Sequence, residues 1–192
     1  MEKHIKFKFN FEKVKNLLLI LGQEVDGLDT LKIVKLLYLI DKKHLLKYGE
    51  IITGDEYYKL EYGPVPTTTY DLLRDIRDNR NMAYPELSSL LKKIFKPLTN
   101  SPVTVFCAES NPDLEVFSQN EINTIYSIIA EFGKCSGGNL IDITHKDAAW
   151  NEGIGNNPID FRLFFSGESY SPAVLQKMED EQENRDFLDQ LK

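Results

Sequence analysis

The chain has 192 residues, 42% hydrophobic and 28% charged, an ordinary globular composition for one large domain or one domain with an appendage. Its formal net charge of -7 repels nucleic-acid phosphates, and the best basic cluster, Arg74, Arg77 and Arg80, is interleaved with Asp71, Asp75 and Asp78, so nucleic acid is disfavoured as a partner. The longest apolar run, Leu17 to Leu21, is far short of the roughly 20 residues that span a bilayer, so no membrane partner is expected. Cys107 and Cys135 stand alone without metal-ligand spacing and read as free buried thiols, which fits a reducing, cytoplasmic location.

In chain order, the alternation of Ile5, Phe7 and Phe9 with lysines predicts a short edge strand or an extended arm, here residues 1–11, and no secretory leader. Val14, Leu17, Leu18 and Leu21 share one face of a helix starting at Asn10 and ended by Gly22 and Asp26-Gly27. Asp29 or Thr30 caps a second helix running to Tyr48, with Gly49 as its terminator and an apolar arc wide enough for a central position. Residues 50–64 read as a loop with one extended piece near Tyr57–Glu61, and Pro66 as the first turn of a helix burying Leu72, Leu73 and Ile76. A fourth helix is predicted from Pro85 to about Lys96, followed by extended segments at Val103–Ala108 and Leu114–Phe117. Ser118 and Glu121 form a capping box for a helix closed by Gly133 and Gly137-Gly138; a short helix near 138–146, a loop at 151–160 and an apolar segment at Phe161–Phe165 follow. From Ser171 the chain is acidic with sparse apolar residues, which suits a weakly docked helix or a tail that folds on a partner, assigned as residues 168–192. Between arm and tail lies a compact, mainly α, single-domain helical bundle with short β segments, residues 12–167.

The chemistry-bearing patterns are sparse. Phosphate-cradling loops have no match, and the only histidines, His4, His44 and His145, lack zinc-protease spacing, so neither a metal nor a cofactor is expected. A Cys–His nucleophile would need Cys107 or Cys135 beside His44 or His145, yet neither cysteine has a setting that lowers its pKa, and nothing singles out a carboxylate pair. No catalytic residue is assigned. Tyr57, Tyr58, Tyr62 and Tyr70 form a dense cluster suited equally to a core or an interface, and Arg74 and Arg77 suit a solvated helix face or a contact.

Three segments in order resemble the Panacea antitoxin domain, also called SocA-like, a family that includes GepA-type phage-associated proteins. The first is Lys35-Leu36-Leu37-Tyr38, then His44 and Tyr48-Gly49; the second is Gly63-Pro64-Val65 with Tyr70; the third is Leu140, Thr144-His145 and Trp150. The aromatic before the Gly-Pro-Val turn, often Trp in the family, is here within Tyr57–Tyr62. The resemblance covers about residues 12–153. It implies an antitoxin, not an enzyme, that binds a cognate protein toxin, encoded by an adjacent gene of a bacterium or prophage, and blocks it or delivers it to a cellular protease. A small enzyme, or a phage or mobile-element regulator binding a host protein, is the alternative reading. The motif residues read as scaffold, and the contact surface expected for the toxin is Tyr57, Tyr58, Tyr62, Arg74 and Arg77, with the acidic tail set against a basic toxin surface.

Overall fold

The computed structural model describes residues 5–98 and 103–190. Lys3 and His4 of the predicted arm, and Leu191, lie outside these. The described arm, from Ile5, forms neither helix nor strand; Asn10 N–H donates to the Thr53 carbonyl. Helix α1 (Phe11–Glu24) is capped by the Asn10 carboxamide, which accepts from Lys13 N–H. Gly22 does not end it. A Cβ there would stand 2.9 Å from the Ala108 amide nitrogen, so this glycine lets a strand pass close to the helix. Asp29 caps helix α2 (Thr30–Tyr48), and Gly49 ends it in the left-handed region, as predicted. Helix α2 is the axis of the molecule, buried on most of its sides and packed against elements from both halves of the chain.

Strands β1 (Tyr57–Leu60) and β2 (Gly63–Pro66) form a hairpin whose two-residue tip is Glu61-Tyr62. The sequence showed only the first strand, because two prolines in β2 obscure its β character. Pro66 precedes helix α3 (Thr67–Arg77) instead of opening it and supplies no cap. The cap comes from Asp55, thirteen and fourteen residues back, whose carboxylate accepts from Thr68 N–H, Thr69 N–H and the Thr69 hydroxyl. Helix α4 (Pro85–Leu91) is shorter than predicted: Phe95–Leu98 is strand β3, paired antiparallel with β4 (Val105–Ala108). Phe95 stacks on Phe106 with ring centroids 5.3 Å apart, and this cross-strand pairing overrides the helical spacing of Leu87, Leu91 and Ile94. Leu114–Val116 is a 3-10 turn, not the extended segment expected.

The capping box of Ser118 and Glu121 is present at the start of helix α5 (Gln119–Phe132). Gly137 and Gly138 do not close α5; they form the first turn of helix α6 (Gly137–His145), capped by Ser136. A further short helix, α7 (Ala148–Glu152), occupies the start of the predicted loop, and Phe161–Phe165 is a 3-10 segment. The acidic stretch is helix α8 (Pro172–Gln190), which packs against α2.

The buried side chains fall into two clusters on opposite flanks of α2. The larger joins α1, α3, α5 and the β3–β4 pair through residues such as Leu17, Leu36, Leu72 and Ile125. The smaller is aromatic: Tyr38, Tyr57, Phe161 and Phe164 meet edge to face, closed by Ile5 of the arm and Met178 of α8. Arm and tail therefore meet each other in space, and Lys6 N–H donates to the Gln182 side chain at 2.9 Å.

Candidate functional site

The family-motif residues converge around α2, and each is held within the fold. Lys35 is fully buried, and its ammonium donates to the Pro64 carbonyl at 2.9 Å. Burial pushes its pKa down to about 7. Gly63, at φ +99°, makes room for this contact: a Cβ there would lie 2.8 Å from Lys35 Nζ and 2.9 Å from Thr144 Oγ1. Lys35, Gly63, Pro64 and Thr144 thus tie α2, the hairpin and α6 at one point. Val65 is buried beside them, and Leu37 lies in the main core.

Tyr38 donates to Asp147 Oδ2 at 2.8 Å, and burial followed by the charge of Asp147 drives its pKa well up. Lys42 donates to the same oxygen at 2.6 Å and to Glu168 at 2.5 Å. Tyr57 hydrogen-bonds Asp41 at 2.8 Å, and Asp41 also accepts from Ile52 N–H, Thr53 N–H and the Thr53 hydroxyl. Burial raises the Asp41 carboxyl to about 6 against the opposing pull of these bonds.

The His44 ring is 4.7 Å from that of Tyr48, and its Nδ1 lies 2.8 Å from the Glu50 carbonyl. A carbonyl cannot donate, so Nδ1 carries the proton; burial lowers the pKa and leaves Nε2 bare, without a partner among the described residues. His145 stacks on Trp150 with centroids 3.9 Å apart, Lys59 Nζ sits 4.8 Å from the centre of the Trp150 ring, and the indole N–H donates to the Leu60 carbonyl at 3.1 Å. Trp150 is half-buried and clamps the base of the hairpin tip.

The candidate contact residues are not brought together. Tyr57 is fully buried and leaves the contact set for a core role; Tyr58 is half-buried, and Tyr62, 61% exposed, stands at the hairpin tip. Arg74 and Arg77 are exposed on the last turns of α3, pairing with Asp71 and Asp78, and Tyr70 lies under the Arg74 guanidinium at 5.8 Å. Among the described residues no hydrogen bond or ring contact joins the two groups.

Cys107 and Cys135 are free but half-exposed, not buried as expected; Cys135 packs at the rim of the main core, and Cys107 lies on strand β4. Neither is bonded to a histidine among the described residues; the Cys107 thiol points at the Lys96 carbonyl, 3.6 Å away. No group of three metal-ligating side chains occurs among the described residues, and none of their helices is long and apolar enough to cross a membrane. A groove of about 370 Å³ between α2, α5 and α6 has a floor of Leu39, Leu46, Ile128, Phe132 and Ile143 and a rim of near-balanced charge, including Lys43, Glu131 and Lys146.

Sequence reasoning missed the buried aspartates. Asp41 sits one turn from both Leu37 and Leu45 on the inward face of α2, and Asp75 between Leu72 and Ile76 on that of α3. A carboxylate on an apolar face was the available signal, since it is stable there only with several donors. Asp75 meets the condition by accepting from Met82 N–H, Ala83 N–H and the Ser88 hydroxyl.

No curated protein and no solved structure matches the chain. The family described as antitoxin SocA-like, Panacea domain, matches residues 33–151, from the first turn of α2 into α7. That segment is more than half of the chain and contains the knot of Lys35, Tyr38, Gly63, Thr144 and Trp150. The chain belongs to the SocA-like Panacea antitoxin-domain family.

Proposed function

We propose that this protein is an antitoxin that neutralises a partner protein toxin by binding it directly, occupying the toxin's active site or the approach to it. The observation that carries this reading is the family match together with the inward use of the motif: Lys35, Tyr38, His44, Gly63, Thr144 and Trp150 make contacts inside the fold. A signature spent on scaffold leaves recognition to the outer surface, which can vary without loss of the fold. Tyr62 on a clamped hairpin tip, with Tyr58 beside it, and Arg74 and Arg77 on α3 are contacts of the kind that dominate interfaces. The location is cytoplasmic, where such a toxin acts.

The test is co-expression with the protein encoded by the neighbouring gene. That neighbour should arrest growth alone, be silent in the presence of this protein, and co-purify with it. Tyr62→Ala with Arg77→Ala should weaken the complex about tenfold or more while the melting temperature holds. Protection without a detectable complex, or protection that consumes a small molecule, refutes direct binding and favours an enzyme.

A further inference from the structure

Helix α8 lies outside the family-matched residues 33–151, and its two faces differ in kind. The inner face, at helical spacing, carries Met178, fully buried, and Gln182, bonded to the arm. Both basic residues of the helix are used in docking. Lys177 donates to the Tyr48 carbonyl and to Glu50 at 2.7 Å, and the Arg185 guanidinium lies 5.6 Å from the Phe7 ring centre. The outer face carries Asp180, Glu183 and Phe187 at i, i+3 and i+7. Neither acid has a cationic partner among the described residues, whereas Glu179 and Glu181 pair with Arg162 and with Lys177 and Arg185. Phe187 is 61% exposed and Leu188, at its flank, 57%.

The charges are thus sorted: both cations are tied to the fold or to Glu181, while Glu183 and Asp180, which accepts only from the neighbouring Gln176 amide, face outward without a cation among the described residues. A phenylalanine on the outward stripe contributes nothing to this chain's own core. From this we infer that the outer face of α8 is a docking stripe for the toxin. Its occupant is a basic protein surface around an apolar pocket, with Phe187 entering the pocket and Asp180 and Glu183 meeting lysines or arginines at its mouth. The sign of the partner follows from complementarity to this face and to a chain of net charge -7. The proposal rests on the antitoxin reading.

The experiment uses the full-length protein and the toxic neighbour, with affinity measured at low and high salt. Phe187→Ala with Leu188→Ala should leave the melting temperature unchanged and weaken the complex at least about tenfold. Asp180→Lys with Glu183→Lys should weaken it mainly through slower association, and the wild-type affinity should fall as salt rises. A neutralising complex that both double variants form at wild-type affinity overturns the docking stripe and leaves the antitoxin reading standing. A neighbour that is not toxic, or is toxic and unbound, overturns both. A wild-type dimer that Phe187→Ala breaks also overturns the stripe as a toxin site, because the occupant is then a second copy.

Discussion

Lys35 shows how one residue can couple the fold to pH. The unfolded lysine holds its proton up to the ordinary value of 10.5, whereas the folded one releases it near 7. Between these values the unfolded state binds more protons, so stability rises as pH goes from about 7 to 10.5 and is lost again on the way down. Lys35→Met, which keeps the volume and cannot titrate, should abolish that rise; denaturant unfolding at pH 7 and pH 9.5 measures it. A rise that persists in the variant would assign it to another group. Asp41 works with the opposite sign. Its carboxyl is raised from 3.8 to about 6, so the folded state binds more protons between these values and this residue's contribution falls as pH rises through them. Asp41→Asn should flatten that part of the profile.

Among the elements, the hairpin and α3 depend on partners remote in sequence. Gly63→Val combines a strained φ of +99° with a clash against Lys35 and Thr144, and should cost about 2–4 kcal/mol by thermal melting. Trp150→Ala removes the stack on His145, the contact with Lys59 and the bond to the Leu60 carbonyl. Amide exchange at residues 58–62 should then quicken, with a loss of about 2–4 kcal/mol because the ring is half-buried. Unchanged stability in either variant together with lost protection would instead place the residue at the contact surface. Asp55→Ala deprives α3 of its borrowed cap and should cost about 1–3 kcal/mol, read as faster exchange at Thr68 and Thr69.

Across the whole molecule, arm and tail stabilise each other. Phe7 meets Phe161 edge to face at 4.9 Å and lies under Arg185, while Met178 fills the same cluster from α8. Phe7→Ala and Met178→Ala should each destabilise the protein, and the double variant by less than their sum, because the first loosens what the second packs against. A sum that is additive within about 0.5 kcal/mol would mean the two ends dock independently. The same geometry makes point variants of α8 a sharper functional test than truncation at Glu168, which would remove Met178 from the core and Glu168 from Lys42.

The sequence alone determined the helices with strong local signals: α1 from Asn10, α2 between Asp29 and Gly49, α5 at its capping box, and the mainly α class. It also carried the family, since three ordered motifs sit where the scaffold is most constrained. These features are local or rest on residue identity, so they do not depend on what packs against them. Tertiary structure alone decided the rest. Phe95–Leu98 became a strand because β4 lay beside it, Tyr57 became core because Asp41 took its hydroxyl, and α8 became a docked helix because Met178 found the aromatic cluster. Each outcome turns on a partner far along the chain, and a local pattern of apolar residues fixes which face is buried without fixing what buries it.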